Sequence, residues 1–181
     1  MPTERLVGFA SYNLPGTFFR EIGRIIVHWA FFEHCVQEMI WDLMKISEAA
    51  GRIAVREPRV TDRLDMMRDI LRLRKGHWDD ELFKTVRSKA NLLAAKRHLV
   101  GHGKWIQHPK DGSWNVELTR GSWPKDANEL ALQSKKVQPE GVTLELGDLR
   151  ATTSEILVLF DELNRLKQST RVPVPSPRKR A

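Results

Sequence analysis

The sequence predicts a mainly helical fold, all-α in class: an antiparallel bundle of four main helices plus a short one, with a small β-hairpin inserted before the last helix. Three observations carry that expectation. Apolar residues recur in steps of three and four over most of the 181 residues, the spacing that gathers them on one helical face. The period gives way to strict alternation only within residues 104–118, as in a strand with one covered side. Between the helical stretches stand short runs with Gly, Pro, Asp or Ser, which stop and start helices.

Residues 1–15 read as a lead-in, and Leu14-Pro15-Gly16-Thr17 is a helix-start signal. The strongest helical pattern runs from there to Ile46, with Phe18, Ile22, Ile25, Trp29, Phe32, Val36, Met39 and Leu43 as its seam. Phe19, Ile26, Ala30 and Ile40 widen the seam, and so broad an apolar arc belongs to a helix central in a bundle or buried in a dimer. Glu33 stands on the flank of this arc. A carboxylate there calls for a cation, because burying it unpaired is expensive or shifts its pKa.

Residues 47–57 read as a short second helix closed by Pro58. Thr61 is the expected cap of a third, which runs through Lys75 with Leu64, Met67 and Leu71 on one face and stops at Gly76. Asp79 or Asp80 caps the fourth, where Leu82, Val86, Lys89 or Ala90, Leu93, Arg97 and Val100 follow one line. Arg97 thus falls on or beside the covered face and is the candidate partner of Glu33.

In the alternating stretch, Pro109-Lys110-Asp111-Gly112 joins two strands into a hairpin whose register sets Trp105 opposite Val116 and Lys104 opposite Glu117. The expected job of Trp105 and Trp114 is to cover the end of the bundle. Residues 121–147 read as a loop or insert with a further candidate strand at 135–138, and Asp148 caps a last helix over 149–168. One domain therefore spans 1–168. Residues 169–181 form a basic, proline-rich tail, since Val172-Pro173-Val174-Pro175-Ser176-Pro177 cannot continue a helix.

Composition narrows the function. A single cysteine, Cys35, excludes an intramolecular disulfide and fits a reducing compartment. Residues 1–13 lack a basic region followed by an apolar block, and no apolar run is long enough to span a bilayer. The expectation is a cytoplasmic protein without a membrane partner. A glycine-rich phosphate loop, paired-cysteine zinc ligands, His-Glu-x-x-His and Gly-x-Ser-x-Gly are all absent from the sequence, which argues against a dinucleotide enzyme, a zinc protease or an α/β-hydrolase. No cofactor or metal is expected.

The net charge is +7, and residues 82–110 contain no Asp or Glu while carrying seven lysines and arginines and three histidines. Such a segment is expected to project positive potential toward an anionic partner. Inside it lies Arg97-His98-Leu99-Val100-Gly101-His102. Arg72 and His77 share the spacing but stand on a charge-alternating outer face, whereas Arg97 ends a helix of buried type.

This six-residue segment resembles the motif of the HEPN superfamily (higher eukaryotes and prokaryotes nucleotide-binding domains), in which arginine is followed by histidine after four to six residues. The resemblance implies an antiparallel helical bundle that cleaves RNA without a metal at the interface of a homodimer, as in toxin and defence systems with an antitoxin or other protein partner. Where many ribonuclease members continue with a tyrosine, this chain has Gly103-Lys104-Trp105. The chemistry suits the residues. Histidine moves protons near neutral pH, and arginine offers a planar fork to phosphate oxygens. The expected roles are His102 as general acid/base, Arg97 as phosphate stabiliser, His98 as an orienting helper, and Lys89, Lys96 and Lys104 as guides for the RNA backbone. The other expectation is a non-catalytic helical module that binds nucleic acid or a protein partner.

Overall fold

A computed structural model describes residues 14–55, 59–107, 111–117 and 142–172. It is a mainly helical bundle with a small antiparallel sheet before the last helix. Helix α1 (Gly16–Met44) starts as the amides of Phe18 and Phe19 turn back to the carbonyl of Pro15. It ends where Lys45 adopts the left-handed conformation (φ 57°) and Ile46 N–H reaches Trp41 O, a Schellman-type stop. Ile25, Trp29, Phe32, Val36, Met39 and Leu43 of the expected seam are buried, while Phe18 and Ile22 near the start are half-covered.

Helix α2 (Glu48–Ala54) is capped by Ser47, whose hydroxyl accepts from Ala50 N–H. It stops earlier than the expected 57, because Val55 turns extended; residues 56–58 lie outside the described residues. Gly51 is buried, and a Cβ there would sit 2.3 Å from the Trp41 ring. Alanine gains up to about 1 kcal/mol of helix propensity over glycine. The overlap with an indole that is itself buried outweighs this gain, since overpacking costs about 1–3 kcal/mol. Gly51→Ala is therefore expected to lower the urea midpoint of unfolding; an unchanged or higher midpoint would show that Trp41 yields freely.

Helix α3 (Val60–Leu73) begins before the expected cap. Arg59 occupies the N-cap but its side chain does not cap the first turn, and Thr61 is already helical. Burial of Val60 with Leu64, Met67 and Leu71 draws the first turn forward. At the other end Lys75 (φ 53°), not Gly76, takes the left-handed position, and Gly76 N–H bonds Leu71 O. Helix α4 (Asp80–His102) is capped by Asp79, whose carboxylate accepts from Leu82 N–H at 2.9 Å. Phe83, Val86, Ala90, Leu93 and Val100 are its buried line, with Phe83 in the place expected for Leu82.

Strands β1 (Lys104–Gln107) and β2 (Trp114–Glu117) pair antiparallel with Lys104 opposite Glu117 and Trp105 opposite Val116, the register read from the alternation. A third strand, β3 (Val142–Thr143), adds to β2 within the stretch expected to be loop. The candidate strand at 135–138 lies outside the described residues. Helix α5 (Leu146–Ser169) starts three residues earlier than expected. Asp148 is not its cap; from the first turn its carboxylate reaches back to Glu145 N–H at 2.8 Å, the returning half of a capping box. Ile156, Leu159, Leu163 and Leu166 are buried, and buried Thr152 and Thr153 donate to Asp148 O and Leu149 O. After α5, the backbone of Arg171 pairs with that of His77 through two hydrogen bonds of 2.8 Å, so the first residues of the tail are held.

The chain divides into two compact units, one of Met1–Trp29 with Leu92–Ile156 and one of Ala30–Asn91 with Leu157–Ala181. In the first, the Phe18 ring meets Trp105 edge-on at 5.9 Å and Trp114 at 6.3 Å, so both indoles cover the start of α1. In the second, Phe32 and Phe31 both meet Phe160. Among the described residues no helix is long and apolar enough to cross a membrane.

Candidate functional site

The last two turns of α4 carry the motif. Gly101 does not end the helix, which runs on to His102. A Cβ at Gly101 would stand 2.8 Å from Ile26 Cδ1, so α1 lies close over this turn and a side chain here would push the end of Ile26 aside. The helix end is then tied down twice. Gly103 N–H donates to Leu99 O at 2.8 Å, and the buried Trp105 indole N–H donates to Val100 O at 3.3 Å. These bonds satisfy carbonyls that a helix C-terminus otherwise leaves open, and they hold the turn that presents His102.

Arg97 Nη1 lies 3.2 Å from His102 Nε2. A guanidinium has no acceptor atom, so in this contact Arg97 is the donor and His102 Nε2 the acceptor. The His98 ring stands beside it, centroid to centroid 4.8 Å at an interplanar angle of 42°. His102 is exposed, Arg97 and His98 are half-buried, and Arg97 Nε is buried without a hydrogen-bond partner. The guanidinium is thus rooted in the protein and turns its far edge to the histidine. The four-residue step that places His98 and His102 on one helical face is realised.

The lysines fare differently. Lys96 is bound by Glu155 at 2.6 Å and Lys89 by Glu162, both carboxylates from α5. Lys84 pairs with Glu81, and Arg87 forks onto Asp65 at 2.7–3.1 Å. The acid-free stretch of sequence is therefore largely neutralised by acids from outside it, and the positive potential expected of it shrinks accordingly. Lys104 remains exposed at the head of β1. Lys89 and Glu33 belong to the second compact unit and Arg97, His98 and His102 to the first; Glu33 is half-buried.

The buried carboxylate of α1 is Glu21, only 5% exposed, which the sequence reading missed. Arg24 binds it at 3.1 Å and Arg150 of α5 approaches to 3.7 Å, the partners that a buried charge requires. Its position four residues before Ile25, in line with the seam, was the available signal. Burial pushes the Cys35 thiol up from its ordinary pKa, with Glu38 adding and Lys167 opposing, so Cys35 is no ready nucleophile. Among the described residues no group of three or more His, Cys, Asp or Glu side chains converges as a metal site. Comparison of the chain with protein-family models, curated proteins and solved structures finds no match.

Proposed function

We propose that the chain is a HEPN-like, metal-independent endoribonuclease of the toxin or defence type, acting in the cytoplasm as a homodimer with Arg97, His102 and His98 as its catalytic set. The observation that supports this most is the Arg97–His102 contact of 3.2 Å with His98 alongside. The reaction is attack of a ribose 2′-oxygen on the adjacent phosphorus, which forms a 2′,3′-cyclic phosphate and releases the 5′-oxygen. As Arg97 turns from His102 to the phosphate, the lone pair of His102 Nε2 that it leaves takes the 2′ proton, and the imidazolium of the second copy in the dimer gives a proton to the leaving oxygen. Arg97 meets the charge that gathers on the non-bridging oxygens. Lys104 is the lysine left to guide the RNA backbone, since Lys89 and Lys96 are engaged by α5.

That engagement favours a second reading, a non-catalytic helical module for nucleic acid or a protein partner such as an antitoxin. One experiment separates them. Purified protein is incubated with RNA in chelator, and 2′,3′-cyclic phosphate ends are followed against His102→Ala. General acid–base catalysis contributes about 10²–10⁴-fold, so the variant is expected to lose at least about 100-fold in rate. Cleavage by both proteins alike, or by neither, overturns the enzyme reading.

A further inference from the structure

We propose that His98 and His102 form a binding site for one divalent transition-metal ion, zinc being the probe ion, and that the ion switches off the chemistry assigned to His102. The site stands on geometry alone; the switch rests on the function proposed above. Two histidines four residues apart on a helix present their rings to one ion, and here the ring centroids are already 4.8 Å apart. With metal–nitrogen bonds of about 2.0–2.1 Å and ligand angles between about 90° and 109°, two imidazoles on one ion have centroids about 4.5–5.2 Å apart. The observed spacing falls inside that range, so the two rings already stand as far apart as two ligands of one ion do.

Three further features point the same way. His102 is the last residue of α4, where the helix dipole favours added positive charge. His102 is exposed and His98 half-buried, so the remaining coordination positions open to water. The set is two imidazoles without a carboxylate, which suits zinc, nickel or copper and not magnesium or calcium. Arg97 is the built-in competitor. Its Nη1 donates to His102 Nε2, the lone pair an ion would take, and its charge repels the ion. Binding zinc through Nε2 removes both the proton acceptor and its contact to the arginine, and leaves RNA uncleaved.

The test is calorimetric titration of the metal-free full chain with zinc chloride, joined to nitrogen-15 spectra of the histidine rings. One ion is expected to bind and to move the His98 and His102 signals together. His98→Ala and His102→Ala are each expected to weaken binding at least about tenfold, with His98→Gln as a milder check. His34→Ala, whose ring faces Glu38, leaves affinity unchanged, Arg97→Gln raises it, and magnesium moves neither ring. Zinc bound as tightly by His98→Ala as by the natural chain, or lost in His34→Ala, overturns the site. RNA cleavage that persists at saturating zinc overturns the switch. Zinc binding by a protein that cleaves no RNA in chelator overturns the ribonuclease reading and leaves the site standing.

Discussion

Arg97→Lys is expected to cut the rate of RNA cleavage at saturating substrate by about 100-fold or more, the scale set by removing one preorganised donor from a charge-stabilising site. The substitution keeps the charge, so RNA affinity and KM change little; what it removes is the fork. Arg97 has its Nε buried and its Nη1 on His102, so the guanidinium plane is fixed from both sides. A lysine ammonium is a compact, strongly hydrated point charge on a flexible stem and cannot offer the phosphate oxygens two parallel donors. Single-turnover kinetics read kcat and KM apart, and circular dichroism checks that the helices survive. A lysine variant that cleaves as fast as the natural protein removes arginine geometry from the mechanism.

Phe32→Ala is expected to lower the free energy of unfolding by about 3–5 kcal/mol, the cost of emptying a buried aromatic site. Phe32 has no exposed surface and its ring meets Phe160 edge-on at 5.6 Å. Against the roughly 5–15 kcal/mol that stabilises a typical domain, this loss is a large share of the total. Phe31 is the control. It also touches Phe160, at 5.3 Å, yet is 58% exposed, and its alanine variant is expected to cost less than about 1 kcal/mol. Equal losses in urea unfolding would mean that the ring pairs, and not burial, carry the energy.

Much of this architecture was legible in the sequence because it is written in periodicity. The seam from Ile25 to Leu43, the inward line of α4 and the Trp105–Val116 register all follow from spacing, and burial enforces spacing strictly: a slip of one residue turns a strand inside out. Helix ends were less legible because several groups compete for them. Burial of Val60 overrode the hydroxyl of Thr61, and Asp148 serves its helix from the first turn. Strand β3, two residues long, is too short to alternate. At the site, the step from His98 to His102 was readable once α4 was known to pass Gly101. The neutralising of Lys89 and Lys96 was not, because Glu155 and Glu162 lie more than fifty residues away in the chain. Local charge counting cannot see partners that only tertiary packing supplies.

The pairing of Val142 opposite Val116, with Leu144 N–H on Trp114 O, bears on how this chain can vary. Glu117 and Val142 stand on neighbouring strands of one sheet, so these two points of the chain are held close together by the sheet. Lengthening such a connection costs little, about 0.6 kcal/mol for each doubling. The start of α5, and with it the carboxylate that holds Lys96, is thereby insulated from the length of that stretch. A change of length between residues 117 and 142 is therefore expected to leave the Arg97–His102 turn where it is.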